Sequence, residues 1–156
     1  MRIGIGFDFH IIKKSVPLFL GGIKLTENYG LFSNTDGDIL IHSIIDAILG
    51  AIGEDDIGEI FNEQWKGKKS SELLIYTINL LKKKNYKIVN IDSIIIIETI
   101  KISLYKDKIK ENLSNLIGIE KDKINIKGKT MEKVGFIGHK KGGSAITVVL
   151  LKQVEK

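Results

Sequence analysis

Residues Asn34 to Gly50 read N-T-D-G-D-I-L-I-H-S-I-I-D-A-I-L-G, and the fold turns on this stretch. Asn34, Thr35, Asp36 and Gly37 are turn and cap residues, after which the chain becomes a run of Ile, Leu and Ala. At 3.6 residues per turn the run predicts a helix apolar almost all round, and such a helix is buried. Asp38, His42 and Asp46 nevertheless fall at i, i+4 and i+8, a polar stripe along one face. Burying a carboxylate or an imidazole costs free energy unless the group is paired, hydrogen-bonded or bound to metal. Two readings of the stripe stay open. In one, Asp36 or Asp38 caps the helix and Asp46 is the hydrogen-bond partner of a core histidine. In the other, the polar groups serve a site.

Asp8-Phe9-His10 bears on that choice. Alternation in a strand puts Asp8 and His10 on one face, about 7 Å apart along the backbone. The chain has three histidines, and two of them sit in polar positions within apolar surroundings. Asp8, His10 and His42 together would make a nitrogen and oxygen donor set, the composition of a catalytic zinc site that keeps its fourth position open.

Composition narrows the alternatives. A chain of 156 residues, 43% hydrophobic and 28% charged, reads as one globular domain (1–156) able to bury a sizeable core. No apolar run approaches the ~20 residues of a membrane span. The amino terminus M-R-I-G-I-G-F-D lacks the apolar segment of a signal peptide. Absence of cysteine excludes disulfides, thiolate ligands and a cysteine nucleophile, and it leaves histidine and carboxylate to hold any transition metal. The net charge of +5 comes almost wholly from dispersed lysines. It suits a phosphorylated small molecule and argues against nucleic acid. A cytoplasmic protein is expected, or a plastid one if the source has a plastid and a transit peptide was removed.

Outward from the central helix, Met1 to His10 reads as a strand whose Gly4 and Gly6 permit close backbone approach. Val16 to Leu25 reads as a hairpin around Gly21-Gly22, and Thr26 to Ser33 as a loop. Gly50 or Gly53 ends the helix. Glu54 to Phe61 is an acidic loop with one turn, and Asn62 to Lys69 a mobile polar loop. Ser70 caps a second helix, which Asn85 stops in left-handed conformation. Tyr86 to Ile97 is a central strand, Leu104 to Ile117 a third helix ended by Gly118, and Lys123 to Lys127 a short strand. A glycine-punctuated loop, Thr130 to Gly143, precedes a closing strand, Ala145 to Leu151. The order ββα(α)αβαββ predicts an α+β fold, with helices packed on one face of a mixed four-to-five-stranded sheet.

With these residues placed, the chain resembles the 2-C-methyl-D-erythritol 2,4-cyclodiphosphate synthase family. R-I-G-I-G-F-D-F-H at Arg2 to His10 and L-G-G-I-K-L at Leu20 to Leu25 carry the resemblance. So do T-D-G-D-I-L-I-H-S-I-I-D-A-I-L-G at Thr35 to Gly50, D-I-G-E-I-F at Asp56 to Phe61, and K-T-M-E-K-V-G-F-I-G at Lys129 to Gly138. The resemblance implies a ferredoxin-like subunit in a homotrimer, with active sites between neighbouring subunits. It implies zinc on Asp8, His10 and His42, and a second divalent cation, magnesium or manganese, on Glu132. The implied reaction belongs to non-mevalonate isoprenoid biosynthesis: intramolecular phosphoryl transfer on a cytidine diphosphate ester of methylerythritol 2-phosphate, releasing cytidine monophosphate.

By the same resemblance Asn34 and Thr130 act in the reaction. Asp8, His10, Asn34 and Thr35 face substrate, as do Asp38 and Asp46, which otherwise support the metal ligands. Asp56 and Gly58 sit at the ribose, and Ile57 and Phe61 also contact substrate. Ile97 to Ser103, including Lys101, line the cytidine pocket, while Lys129, Thr130, Met131, Glu132, Phe136 and His139 complete the contacts. The sequence also departs from the family pattern. Asn34 stands where the family has His, Thr35 where it has Ser, and Ile100 where it has Pro. The loop after Phe61 is shorter than the family's, and G-H-K-K-G at Gly138 to Gly142 replaces G-R-x-E-G. That last change removes the basis for isoprenoid diphosphate binding at a trimer axis and leaves His139 a solvent-exposed loop residue, not a fourth metal ligand. Two other functions fit the same residues: a zinc phosphoester hydrolase, using Asp38, Asp46 or Glu132 as general base, and a non-catalytic binding paralogue.

Overall fold

The computed structural model describes residues 1–154. Five strands form one sheet: β1 (Arg2–Lys14), β4 (Tyr29–Leu31), β5 (Tyr86–Ile96), β6 (Ile124–Lys129) and β7 (Gly142–Gln153). Their spatial order is β4-β1-β7-β5-β6, all neighbours antiparallel except the parallel pair β5 and β6. A hairpin of β2 (Leu18–Leu20) and β3 (Ile23–Thr26) stands apart. The helices are α1 (Ile39–Ile52), the single turn α2 (Ile57–Ile60), α3 (Ser70–Lys83), α4 (Lys106–Ile117) and the single turn α5 (Gly135–Gly138).

The α+β class with helices against a mixed sheet is what the sequence led us to expect. The ferredoxin-like arrangement needs correcting. Leaving out the short elements, the chain runs β1, α1, α3, β5, α4, β6, β7, which with α1 and α3 taken together as one crossover is a βαβαββ order instead of the βαββαβ of that fold. The helix α4 crossover therefore joins two parallel neighbours, β5 and β6, the connection that parallel pairing requires.

Helix α1 is buried on nearly every side, and its Ile39, Leu40, Ile44, Ile45 and Ile48 have no exposed surface. It ends where Gly53 adopts φ +74° and donates its N–H to the Gly50 and Leu49 carbonyls. Asn85 (φ +60°) and Gly118 (φ +76°) end α3 and α4 in the same left-handed region. The sequence placed the stops at Asn85 and Gly118, and of its two candidates for α1 the structure selects Gly53. Ser70 does not cap α3 through its own hydroxyl: it is the first helical residue, and Asp36 accepts its N–H from across the fold at 3.1 Å.

Strand β1 reverses the usual alternation. Its inward positions are Gly4, Gly6, Asp8 and His10, while Ile3, Ile5 and Phe7 point outward, 71, 70 and 59% exposed. The two glycines explain the inward face. A Cβ on Gly4 would stand 1.9 Å from the Ala47 carbonyl oxygen of α1, and one on Gly6 1.9 Å from that of Ser43. The helix lies directly on the strand backbone, so side chains at positions 42 and 8 to 10 can meet.

Candidate metal centre

Asp8 and His10 project from β1 toward α1, and His42 projects from the first turn and a half of α1. Asp8 Oδ2 lies 3.0 Å from His10 Nε2 and 2.9 Å from His42 Nδ1, and the two ring nitrogens are 3.3 Å apart. Among the described residues these three form the group that could hold a metal ion. A tetrahedral zinc with bonds of about 2.0–2.1 Å requires ligand atoms about 3.3–3.4 Å apart. The three donors are therefore already within a few tenths of an ångström of the spacing zinc needs, and their chemistry suits it.

Electrostatics couple the three donors to one another. Burial raises the Asp8 carboxyl, but hydrogen bonds from His10 and His42 and their charge outweigh it and hold the group at about 2. Burial also works against a charged His42, yet the Asp8 hydrogen bond and carboxylate, with Asp38 and Asp36 behind, raise the imidazole above its usual value.

The polar stripe of α1 resolves into three separate jobs. Asp38 has no exposed surface and caps α1, accepting from Ile41 N at 3.0 Å. Its carboxylate also receives the N–H groups of Gly21 (3.0 Å) and Gly22 (2.7 Å), tying the β2–β3 turn to the helix. Burial raises its carboxyl against these three donors. Asp46 accepts from Ile57 N at 2.8 Å and so anchors α2, with its carboxyl raised by burial. The His42 ring bonds to neither carboxylate, its one link to Asp38 being the His42 N–H to that residue's backbone carbonyl at 3.0 Å, so Asp46 is not the imidazole's hydrogen-bond partner. The groups behind His42 are instead Ser70, whose Oγ is 2.8 Å from Nε2, and Thr35, whose Oγ1 is 3.1 Å away. Ser70 Oγ in turn donates to Asp36.

A cavity of about 500 Å³ opens over the three donors. Asn34, Thr35, Ile57, Gly58 and Phe61 line it, as anticipated, and Trp65, Lys66 and Leu73 also do. The stretch Asn62 to Lys69, expected as a mobile loop, carries a 3-10 turn at Glu63–Trp65 capped by Asn62. Phe61, Trp65 and Tyr76 pack edge to face with centroids 4.9–5.5 Å apart, and Gly67 N donates to the Asn34 carbonyl at 3.0 Å. A lone tryptophan in a lysine-rich stretch was the available sign that this wall is structured.

A second cavity of about 400 Å³ shares no lining residue with the first. It gathers Lys101, Lys129, Thr130 and Glu132, with Ile97, Ile100 and Ser103. Thr130 Oγ1 donates to Glu132 at 2.9 Å, in a turn where Glu132 and Lys133 have φ +51° and +63°. Glu98, which the sequence did not single out, holds this turn by accepting from Met131 N (2.6 Å) and Lys133 N (3.3 Å). Asp56, Met131, Phe136 and His139 are exposed and line neither cavity. Asp56 caps α2 through Gly58 N and Glu59 N, Phe136 packs on Phe9 with centroids 5.7 Å apart, and His139 Nδ1 bonds to the Gly135 carbonyl.

Residues 1–152 match the YgbB family. The chain is 44% identical over 154 residues to the 2-C-methyl-D-erythritol 2,4-cyclodiphosphate synthase of Halothermothrix orenii, covering 97% of this chain and 93% of that protein. It is 43% identical to the bifunctional enzyme IspD/IspF of Aliarcobacter butzleri over 96% of this chain, spanning only 41% of that longer protein. A solved structure of IspF from Plasmodium falciparum in complex with CDP superimposes with a TM-score of 0.90 at 42% identity, covering 99% of this chain and 97% of that one. A mixed α+β subunit with an Asp-His-His cluster beneath an open cavity is thus one of a known class. The chain belongs to the YgbB family, that of the 2-C-methyl-D-erythritol 2,4-cyclodiphosphate synthases, and is an enzyme of the cyclising lyase class. No helix among the described residues is long and apolar enough to cross a membrane.

Proposed function

We propose that the protein converts 4-diphosphocytidyl-2-C-methyl-D-erythritol 2-phosphate to 2-C-methyl-D-erythritol 2,4-cyclodiphosphate and cytidine monophosphate, in non-mevalonate isoprenoid precursor synthesis. The observation that carries the reading is the Asp8, His10 and His42 cluster at the floor of a cavity wide enough for a small phosphorylated molecule. Asp8, His10 and His42 would hold zinc, and Glu132 would offer a carboxylate oxygen to a magnesium or manganese ion. Bound there, the two cations would supply Lewis acidity and a template for the phosphates.

The chemistry needs no strong protein base. A phosphate monoester has a second pKa near about 6, so the 2-phosphate is mostly dianionic at neutral pH. One of its oxygens bonds to the distal phosphorus of the diphosphate, and the bond from that phosphorus to the cytidylate oxygen breaks. The leaving group departs as cytidine monophosphate, and no water is consumed. The chain's share is positioning, which for attack within one bound molecule removes much of the entropic barrier. Asn34 offers an amide N–H at the cavity rim, and the Thr130 hydroxyl and the Lys101 and Lys129 ammonium groups offer donors to the diphosphate. Ile57, Gly58 and Phe61 form the wall toward the sugar.

A homotrimer with active sites between subunits is part of this reading. The outward face of β1 supports it: Ile3, Ile5 and Phe7 make an apolar stripe no element of the subunit covers, and a stripe of that kind marks an association surface. The division of the implied site residues between two cavities on one chain supports it as well. A cysteine-free chain suits a reducing compartment, cytosol or plastid.

A hydrolase is the weaker reading because Asp38 and Asp46 are committed to backbone N–H groups and Glu132 lies in the other cavity. Incubation with the cytidine diphosphate ester in buffer containing ¹⁸O-water separates the readings. Cyclic product without label, together with cytidine monophosphate, supports the synthase. Labelled, ring-open phosphate indicates hydrolysis, and unchanged substrate with bound ligand indicates the non-catalytic paralogue.

A further inference from the structure

His42 presents Nδ1 to the metal cluster, so its ability to bind a cation depends on where its one proton sits when the ring is neutral. The proton must be on Nε2. On that side Ser70 Oγ lies 2.8 Å away with no exposed surface, and Ser70 Oγ donates its own hydrogen to Asp36 Oδ1. The other oxygen of Asp36 accepts the Ser70 backbone N–H at 3.1 Å. Ser70 meets both oxygens of the carboxylate, with the Asp38 N–H a longer donor to Oδ1 at 3.4 Å, so the hydroxyl hydrogen of Ser70 is turned toward Asp36 and its lone pairs toward His42. The remaining neighbour of Nε2, Thr35 Oγ1 at 3.1 Å, has the Ser33 hydroxyl and Gly37 N as its other partners. It has no carboxylate behind it to orient its hydrogen.

We propose that Asp36 and Ser70 are positioning residues for the metal centre, a relay that holds His42 in the Nε2–H form and aims Nδ1 at the cation. The proposal rests on the metal-centre reading above. It places the device on a different helix from its target: Ser70 begins α3, twenty-eight residues beyond His42, so docking of α3 and competence of the site are linked. Partners of this kind orient a ligating imidazole and raise its basicity, and their loss costs roughly 10–100-fold in metal affinity.

The chain of donors makes an asymmetric prediction. In Ser70→Ala, Nε2–H loses its acceptor but Thr35 can still receive it, so zinc affinity falls about tenfold. In Asp36→Asn a single amide oxygen is left for two backbone donors, and the closer one, Ser70 N–H at 3.1 Å against Asp38 N–H at 3.4 Å, takes it, which turns the amide NH₂ toward Ser70 Oγ. The serine hydrogen then points at Nε2 and favours the proton on Nδ1, where it blocks the metal. Asp36→Asn should therefore lose at least as much affinity as Ser70→Ala, toward about 100-fold, while Ser70→Thr retains affinity near that of the parent.

The test is competitive zinc titration of the metal-free full chain and the three variants against a chromophoric chelator, with thermal melting of each metal-free form and the visible bands of the cobalt-substituted forms. Reduced affinity in Ser70→Ala and Asp36→Asn, altered cobalt bands, metal-free melting close to the parent and rescue by Ser70→Thr support the relay. If the parent binds one zinc and both variants bind it within threefold as tightly, the relay is wrong and the metal centre stands. If affinity falls only in step with a collapse in metal-free melting and cobalt bands are unchanged, the residues are structural and the relay is again wrong. If the parent binds no zinc, the metal centre itself fails and the relay with it.

Discussion

Gly6→Ala tests whether packing of a helix on bare strand backbone builds the metal site. A Cβ at residue 6 would stand 1.9 Å from the Ser43 carbonyl oxygen and 2.7 Å from Ala47 N, whereas real Cβ contacts essentially never come under 3.0 Å. The obstacle is helix backbone, not the end of a flexible side chain, so α1 must lift from β1 by about 1 Å. Overpacking of this kind costs about 1–3 kcal/mol, and the rigid neighbour puts Gly6→Ala at the upper end. Ser43 is the residue after His42, so the same displacement carries Nδ1 away from its 2.9 Å contact with Asp8 and its 3.3 Å contact with His10. Metal sites tolerate errors of about 0.2 Å in ligand distance. A shift of about 1 Å should therefore lower zinc affinity at least about tenfold, the scale of a lost supporting contact. Urea denaturation of the metal-free protein and competitive zinc titration measure the two effects. Gly50→Ala is the control, because a Cβ there meets nothing within 4 Å; it should gain about 0.5–1 kcal/mol and leave zinc affinity unchanged. A Gly6→Ala protein with parental zinc affinity and stability within about 1 kcal/mol of the parent would refute the packing reasoning.

Three further outcomes are expected. Asp38→Ala leaves the N–H groups of Gly21, Gly22 and Ile41 without their acceptor. At roughly 1–3 kcal/mol for each orphaned donor, moderated by water entering the space, urea denaturation should show a loss of about 3–5 kcal/mol; under about 1 would contradict the cap assignment. Asp46 has its carboxyl raised by burial, so its protonated form is favoured on folding. The stability it contributes is complete below its unfolded value near 3.8 and is lost as pH rises through the raised folded value. Asp46→Asn keeps an acceptor for Ile57 N without the charge, so its melting temperature relative to the parent should climb from pH 4 to pH 7; a flat difference would contradict the assignment. Ile5→Lys with Phe7→Glu places charge on the uncovered β1 face and should shift sedimentation from trimer to monomer, whereas unchanged sedimentation would remove that face from the interface.

Local chemistry made much of the molecule legible. Left-handed stops at Gly53, Asn85 and Gly118 need only the freedom of Gly and Asn at positive φ, and the apolar run of α1 has one sensible home. Asp8, His10 and His42 could be paired because each is costly to bury alone. Other features depend on contacts that spacing does not encode. Alternation in β1 gives two faces but not which of them is inward. There the large side chains Ile3, Ile5 and Phe7 face out because glycines are needed beneath α1. Strand β4 has three residues and exists through its pairing with Ile12 to Lys14. Asp36 and Ser70 meet only after α3 docks, so nothing near either one announced it. Of the stripe, Asp38 caps the helix as one reading allowed, whereas Asp46 serves the Ile57 N–H and not the imidazole, since residues sharing a helix face can serve different backbone donors.

At stake is the meeting of Asp8 and His10, two residues apart on one face of β1, with His42 of the buried helix around one ion. Crystals of zinc-loaded protein, with diffraction recorded on either side of the zinc absorption edge, test it most directly. The account predicts one anomalous peak per chain, bonded to Asp8 Oδ2, His10 Nε2 and His42 Nδ1 at about 2.0–2.2 Å with a fourth position facing the cavity. A peak elsewhere, or bonding through His42 Nε2, would contradict it.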